Sequence, residues 1–264
     1  MANSTPSSAR SVVDRLRSAG CVFAEEESEL LITAATSRSD LSAMVDRRAA
    51  GEPLEYVLGW AEFCGLRIAV DRGVFVPRHR TEFLVHEATA LAWPGAVVVD
   101  LCCGSGAVGA ALVAAVGAVE LHAVDLDPAA VACARCNLPE AVDQVYRGDL
   151  YEPLPARLRG CVDVLVANAP YVPTDSIRLM PPEAREHEPH LALDGGADGL
   201  DLLRRVIADA PRWLAPGGHL LVETSERQAP QAVQAVFRPG LIPRVASSEE
   251  YDATVVIATR PADG

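Results

Sequence analysis

Cys161-Val162-Asp163-Val164-Leu165-Val166-Ala167-Asn168-Ala169-Pro170-Tyr171 is the stretch from which this chain is best read. Val162 to Val166 is an apolar run broken once, by Asp163. A run this short, closed by a proline turn, predicts a strand buried in a parallel sheet. A carboxamide, a proline-fixed turn and an aromatic then fall just past its C-terminal end, where open α/β sheets bind their ligands. Asn168, Ala169, Pro170 and Tyr171 are therefore the candidate catalytic and substrate-binding residues.

Outward from this strand, the chain from Ala96 alternates apolar runs with helical patterns, which predicts a parallel sheet with helices on both faces. The predicted strands are 97–101, 119–124, 142–146, 162–167 and 219–223. Residues 241–246 and 253–259 follow as an antiparallel hairpin closing the edge. Helices are predicted over 81–92, 106–116, 128–137, 199–214 and 226–237, and Pro216-Gly217-Gly218 turns the chain into the fifth strand. The fold class is α/β, a mostly parallel seven-stranded sheet with a terminal antiparallel hairpin.

Ahead of the sheet, Val12, Val13, Leu16 and then Leu30, Leu31, Ile32 have the spacing of amphipathic helices. Ser39-Asp40 is a cap signal for a third helix carrying Leu41, Met44 and Val45, ended by Gly51-Glu52-Pro53. Residues 1–60 read as a small N-terminal helical domain that recognises substrate and docks on the main domain. Residues 61–80 read as a β-hairpin linker. Within it Leu66, Ile68 and Val70 alternate with Arg67, Ala69 and Asp71, and Asp71-Arg72-Gly73 turns the chain into Val74-Phe75-Val76. Residues 81–264 are the expected catalytic domain.

The 264 residues carry a net charge of −13. Broad capture of a nucleic-acid backbone needs clustered Lys and Arg, so nucleic acid is disfavoured as a partner. The longest apolar run, 107–119, is too short to span a membrane and holds two glycines. The opening MANSTPSSAR lacks a secretory signal pattern and reads as a frayed tail. Seven cysteines in no paired framework fit a reducing compartment, so the expected location is cytoplasmic.

Asp100-Leu101-Cys102-Cys103-Gly104-Ser105-Gly106-Ala107-Val108-Gly109 joins a predicted strand to a predicted helix and satisfies GxGxxG. Gly104 and Gly106 permit a tight turn and close backbone approach to a ligand. Asp125, ending the next strand, is placed to accept both ribose hydroxyls, which suits NAD and S-adenosylmethionine equally. Two further carboxylates favour the second. Asp100 before the loop suits a cationic α-amino group and repels a pyrophosphate. Asp149, in Gly148-Asp149-Leu150, can accept from an adenine amino group. The bland reading is that Asp100 and Asp149 cap turns. The cofactor-binding candidates are Asp100, Cys102, Gly104, Gly106, Asp125, Asp149, Leu150 and Asn168, and the expected cofactor is S-adenosyl-L-methionine.

A carboxamide nitrogen is a poor nucleophile because its lone pair is delocalised into the carbonyl. An enzyme that alkylates it should accept hydrogen bonds from the NH2, fix its orientation and exclude water. The Asn168 side-chain oxygen and the Ala169 carbonyl offer two acceptors, the second held in direction by Pro170. Tyr171 can lie against the planar amide.

These motifs together resemble the release-factor glutamine N5-methyltransferases of the HemK type, from about Glu29 to Val256. The resemblance rests on Gly51-Glu52-Pro53-Leu54-Glu55-Tyr56-Val57-Leu58-Gly59 with Glu62-Phe63, and on Val76-Pro77-Arg78 with Thr81-Glu82. It rests also on the glycine loop, on Asn168-Ala169-Pro170-Tyr171, and on Glu188-Pro189 through Ala192-Leu193-Asp194-Gly195-Gly196-Ala197-Asp198-Gly199-Leu200. It implies a class I, Rossmann-like methyltransferase domain and S-adenosylmethionine as donor. The implied acceptor is a glutamine side chain in a protein, the Gly-Gly-Gln loop of peptide chain release factors. The chain departs from the family's Asn-Pro-Pro-Tyr at Ala169, and from its Pro-Arg-Pro-acid-Thr-Glu at His79 and Arg80, which marks it as a divergent member.

Two other readings compete. One is an amino-methyltransferase acting on a nucleic-acid base; the other is a cofactor-binding protein that has lost catalysis. A NAD-dependent oxidoreductase lacks its Tyr-x-x-x-Lys pair here. Cys133 and Cys136 form a lone CxxC, and with no second ligand pair no metal is expected. Arg78 is a substrate-binding candidate, with an interdomain ion pair as the alternative. Glu183, Glu186, His187 and Glu188 read as a solvated loop or a substrate lid.

Overall fold

The computed structural model describes residues 5–262. Helices α1 (Thr5–Ser18), α2 (Ala24–Ala34), α3 (Arg38–Ala49) and α4 (Leu54–Leu58) come first. The expected tail is thus helical from Thr5, and residues 1–4 lie outside those described. Val12, Leu16, Ala24, Leu31, Met44, Val45 and Val57 form the small core of this unit. The cap of α3 is Ser37, not Ser39-Asp40: its side chain accepts from the Asp40 backbone N–H at 3.1 Å.

The hairpin that follows lies earlier than its alternation predicted. It pairs β1 (Trp60–Phe63) with β2 (Leu66–Ala69). Cys64 and Gly65 form the turn with φ of 49° and 71°, the two left-handed residues that match strand twist in a two-residue hairpin. Val74-Phe75-Val76 is not a strand; Val74 and Val76 are buried, and the Tyr56 hydroxyl donates to the Val74 carbonyl at 2.7 Å.

The main domain contains α5 (Glu82–Thr89), β3 (Val97–Leu101), α6 (Ala107–Val116), β4 (Glu120–Asp125), α7 (Pro128–Asn137), β5 (Val145–Arg147) and β6 (Val162–Ala167). Then come α8 (Pro182–His187), α9 (Asp201–Asp209), β7 (Leu214–Thr224), α10 (Ala229–Phe237), β8 (Ile242–Ser248) and β9 (Ala253–Thr259). The sheet order is β5-β4-β3-β6-β7-β9-β8, parallel up to β7 and antiparallel across β9 and β8. This is the seven-stranded α/β sheet the sequence predicted. Several boundaries differ, three of them for a visible reason. Pro139 opens a 3-10 stretch over Pro139–Gln144, so β5 starts only at Val145. Pro211 follows the last turn of α9, which ends at Asp209 and passes into a 3-10 turn. Residues 216–218 lie inside β7, because the Gly217 N–H and Gly218 carbonyl pair with Arg260.

Strand β6 runs through the middle of the sheet. Val164 and Val166 pack toward the face carrying α5, α6 and α7; Leu165 and Ala167 pack toward α9 and α10. All four are fully buried, and full burial of each of the Val164, Leu165 and Val166 side chains contributes about 1.5–3 kcal/mol. The interrupting Asp163 accepts from the Val97 N–H at 2.8 Å and so ties the start of β3 to β6. Asp100 lies beside Val166 and Leu101 beside Ala167. The glycine loop and the Asn168 turn therefore leave adjacent strands at the same end of the sheet.

Candidate active site

A cavity of about 820 Å³ opens at that end. It is lined by Asp100, Cys102, Gly104, Asp125, Asp149 and Leu150, and by Arg78, Asn168, Ala169, Pro170 and Tyr171. The structure brings together all the sequence-derived candidates except Gly106. That glycine (φ 78°) faces the other way: a Cβ there would lie 3.1–3.2 Å from Leu138 and Ala134, so its small size lets the loop pack on α7.

Each carboxylate is held by backbone. Asp100 Oδ2 accepts from the Gly109 N–H at 3.0 Å. Burial pushes its pKa up to about 7, against the Gly109 bond and with some help from Asp125. Asp125 accepts from the Gly104 N–H at 2.8 Å through Oδ2 and from the Asp127 N–H at 2.9 Å through Oδ1; burial raises its pKa as well. Two carboxylates poised against ionisation in one cavity fit a ligand that carries positive charge and hydroxyl donors. Asp149 Oδ2 is bonded to Arg205 at 2.7 Å, which leaves its other oxygen as the acceptor. Cys102 and Leu150 hold φ of 57° and 51°. Non-glycine residues in that region carry strain, and both lie on the cavity wall.

The acceptor turn is braced from several sides. The Asn168 Nδ2 donates to the Thr81 hydroxyl at 3.2 Å, which leaves Oδ1 as the uncommitted acceptor. Among the described residues no donor is bonded to the Ala169 carbonyl. The Tyr171 hydroxyl donates to Glu223 Oε1 at 2.9 Å, and its backbone carbonyl accepts from Gln228 Nε2 at 2.9 Å. Behind the turn lies the glycine segment 194–200. A Cβ on Gly195 would come within 2.7 Å of the Pro170 carbonyl, and one on Gly199 within 2.2 Å of the Tyr171 carbonyl. Only glycine lets the two backbones approach this closely.

Arg78 makes an ion pair instead of standing free. One of its nitrogens lies 2.6 Å from both oxygens of Glu188, whose carboxylate is buried. Its neighbour in the loop, Glu183, bonds Arg48 of α3 at 3.0 Å, and Arg48 also holds Glu27 of α2. The loop after the acceptor turn is thereby fastened to the N-terminal helices. Glu52 of the Gly-Glu-Pro-Leu segment is buried between Arg47 and Arg72. His79 is exposed against Glu82 and Tyr251. Cys133 donates to the Ala69 carbonyl and Cys136 is exposed; no cluster of metal ligands occurs among the described residues. No helix among them is long and apolar enough to cross a membrane.

Sequence reasoning passed over Glu223, Gln228 and Asn137 as site residues. Glu223 had a signal, an acid ending an apolar strand as Asp100 does. Asn137 bonds the Ser105 carbonyl at 2.8 Å and both backbone groups of Ala69, and so braces the glycine loop. Nothing in its sequence neighbourhood indicated this.

Comparison with known proteins points the same way. The family described as "Methyltransferase small domain" matches residues 66–180. The release factor glutamine methyltransferase of Geobacter sulfurreducens is 41% identical over 199 residues, 75% of this chain and 69% of that protein. The 4-amino-L-phenylalanine/4-methylamino-L-phenylalanine methyltransferase of Streptomyces pristinaespiralis is 39% identical over 201 residues, 74% of this chain and 70% of that one. The crystal structure of ribosomal protein L11 methylase from Lactobacillus delbrueckii subsp. bulgaricus shares the fold, with a TM-score of 0.52 at 18% identity over 74% of this chain and 85% of that one.

Proposed function

We propose that this chain, which belongs to the release factor glutamine methyltransferase family, transfers a methyl group from S-adenosylmethionine to the side-chain nitrogen of a glutamine in a protein, a peptide chain release factor, in the cytoplasm. The observation that carries this reading is the Asn168 turn. It presents two acceptors with no partner among the described residues, Asn168 Oδ1 and the Ala169 carbonyl, in the cavity that also holds Asp100 and Asp125.

Asp100 would take the donor's α-amino group and Asp125 its ribose hydroxyls; Leu150, the free oxygen of Asp149 and the Gly104 backbone would frame the rest. The bound donor supplies an electrophilic methyl on a sulfonium sulfur. Asn168 Oδ1 and the Ala169 carbonyl accept the two amide hydrogens of the glutamine and aim its nitrogen. As that nitrogen gains a methyl it becomes more acidic, and these acceptors stabilise the growing positive charge on its hydrogens. It then sheds one proton toward solvent. The Tyr171 residue, held at its hydroxyl and its backbone carbonyl, walls one side of the site. The 1–60 helical unit is the proposed platform for the protein substrate, since Arg48 ties it to the loop at the cavity mouth.

The test offers labelled S-adenosylmethionine with purified release factor, bulk RNA or 4-aminophenylalanine in parallel. Transfer to release factor supports the proposal. Transfer only to RNA or only to the arylamine replaces it.

A further inference from the structure

We propose that Glu223 is a positioning residue of the acceptor site, holding the Tyr171 ring directly and acting on the Asn168 carboxamide across Thr81. This rests on the methyl-transfer reading above. Glu223 is the penultimate residue of β7, one residue past the point where β7 pairs with Ala167 of β6, and so lies beside Asn168. Its side chain is almost wholly buried, yet it lines the cavity. Oε1 accepts from Tyr171, whereas Oε2 is buried without a hydrogen-bond partner among the described residues. A buried carboxylate oxygen left unpaired is costly, and it is retained here against the acceptor turn.

The groups facing Glu223 come from three elements. Arg80 and Thr81 stand on the turn before α5, and both act on it along with Tyr171 from the turn after β6. Across the sheet its β9 partner is the apolar Val255. Arg80 itself is shared with Asp252 and Tyr171. Arg80 stands where the resembling family usually carries an acid, so in this chain a cation faces the buried carboxylate. Thr81 also accepts from Asn168 Nδ2. A change at Glu223 therefore reaches both halves of the Asn-Ala-Pro-Tyr turn without touching the residues that face the donor. Burial raises the Glu223 pKa above the ordinary carboxylate value.

The test compares wild type with Glu223→Gln, nearly isosteric and uncharged, and with Thr81→Val. At saturating S-adenosylmethionine, kcat of Glu223→Gln should fall on the order of 10-fold or more, as for a lost charge-assisted bond. KM for the acceptor and the affinity for S-adenosylhomocysteine should stay within about twofold, and the latter confirms that the variant folds. The acid limb of the wild-type kcat profile should be missing from Glu223→Gln. Independently of any acceptor, the Asn168 side-chain NH2 signal in a nitrogen-15 spectrum, assigned with Asn168→Asp, should titrate in wild type. It should be still in Glu223→Gln and in Thr81→Val. Full kcat with an unchanged acid limb in Glu223→Gln overturns the proposal, as does an Asn168 signal indifferent to both substitutions. If wild type methylates nothing, the proposed function falls, and the spectrum still decides the role of Glu223.

Discussion

Asp100 offers the sharpest test of how the cavity selects a cation. Its carboxyl is buried at the end of β3 with one backbone bond, from Gly109, and its pKa is pushed up to about 7 from an ordinary 3.8. A rise of roughly three pH units corresponds to about 4 kcal/mol, the order of the cost of keeping this side chain ionised in the unliganded fold. Because the pKa is raised on folding, the folded chain holds a proton between pH 4 and 7 that the unfolded chain has lost. Stability from Asp100 is therefore present at acid pH and lost as pH rises through about 7. A ligand ammonium reverses this by pairing with the ionised form. Calorimetric titration with S-adenosylhomocysteine should show affinity climbing up to ~10-fold per pH unit below about 7 and levelling off above it. Asp100→Asn should abolish that slope and weaken binding above pH 7, while raising the thermal stability of the unliganded protein at pH 8. An affinity that is flat from pH 5.5 to 7.5 in wild type, or an unliganded Asp100→Asn protein less stable than wild type at pH 8, would refute the reasoning.

Asn168→Ala should abolish methyl transfer with S-adenosylhomocysteine affinity nearly unchanged; equal loss of both would move its role to the cofactor. Asp125→Ala should weaken cofactor binding by about 1–3 kcal/mol, the worth of charge-assisted hydrogen bonds, and unchanged affinity by calorimetry would place the ribose elsewhere. Gly199→Ala puts a Cβ 2.2 Å from the Tyr171 carbonyl at a φ of 78°. It should lower the denaturant midpoint and cut kcat more than cofactor affinity, because the displaced turn is the acceptor side of the cavity. Arg78→Ala leaves the buried Glu188 carboxylate unpaired and should destabilise the fold by about 2–3 kcal/mol, read from denaturant unfolding at pH 7.

The sheet was legible because buried parallel strands write themselves as short apolar runs: residues 97–101, 162–167 and 253–259 match β3, β6 and β9 end to end. The candidate site was legible where a polar residue ends such a run, as Asp100, Asp125 and Asn168 do. Failures arose where the signal is tertiary. The alternation of Leu66, Ile68 and Val70 looked like the first half of a hairpin, but the left-handed turn at Cys64-Gly65 had already paired that strand with the residues before it. Gly106 keeps the positive φ of the tight turn the fingerprint implied, and its smallness also serves packing on α7. The partners that hold the acceptor turn come from distant segments: Thr81 before α5, Glu223 on β7 and Gln228 before α10. No local pattern records such contacts.

The most direct measurement of the central claim is tandem mass spectrometry of a release factor incubated with this protein and S-adenosylmethionine. The account predicts one added methyl on the side-chain nitrogen of the glutamine in the Gly-Gly-Gln loop, absent with Asn168→Ala. A methyl found on any other residue, or the same product formed by Asn168→Ala, would contradict it.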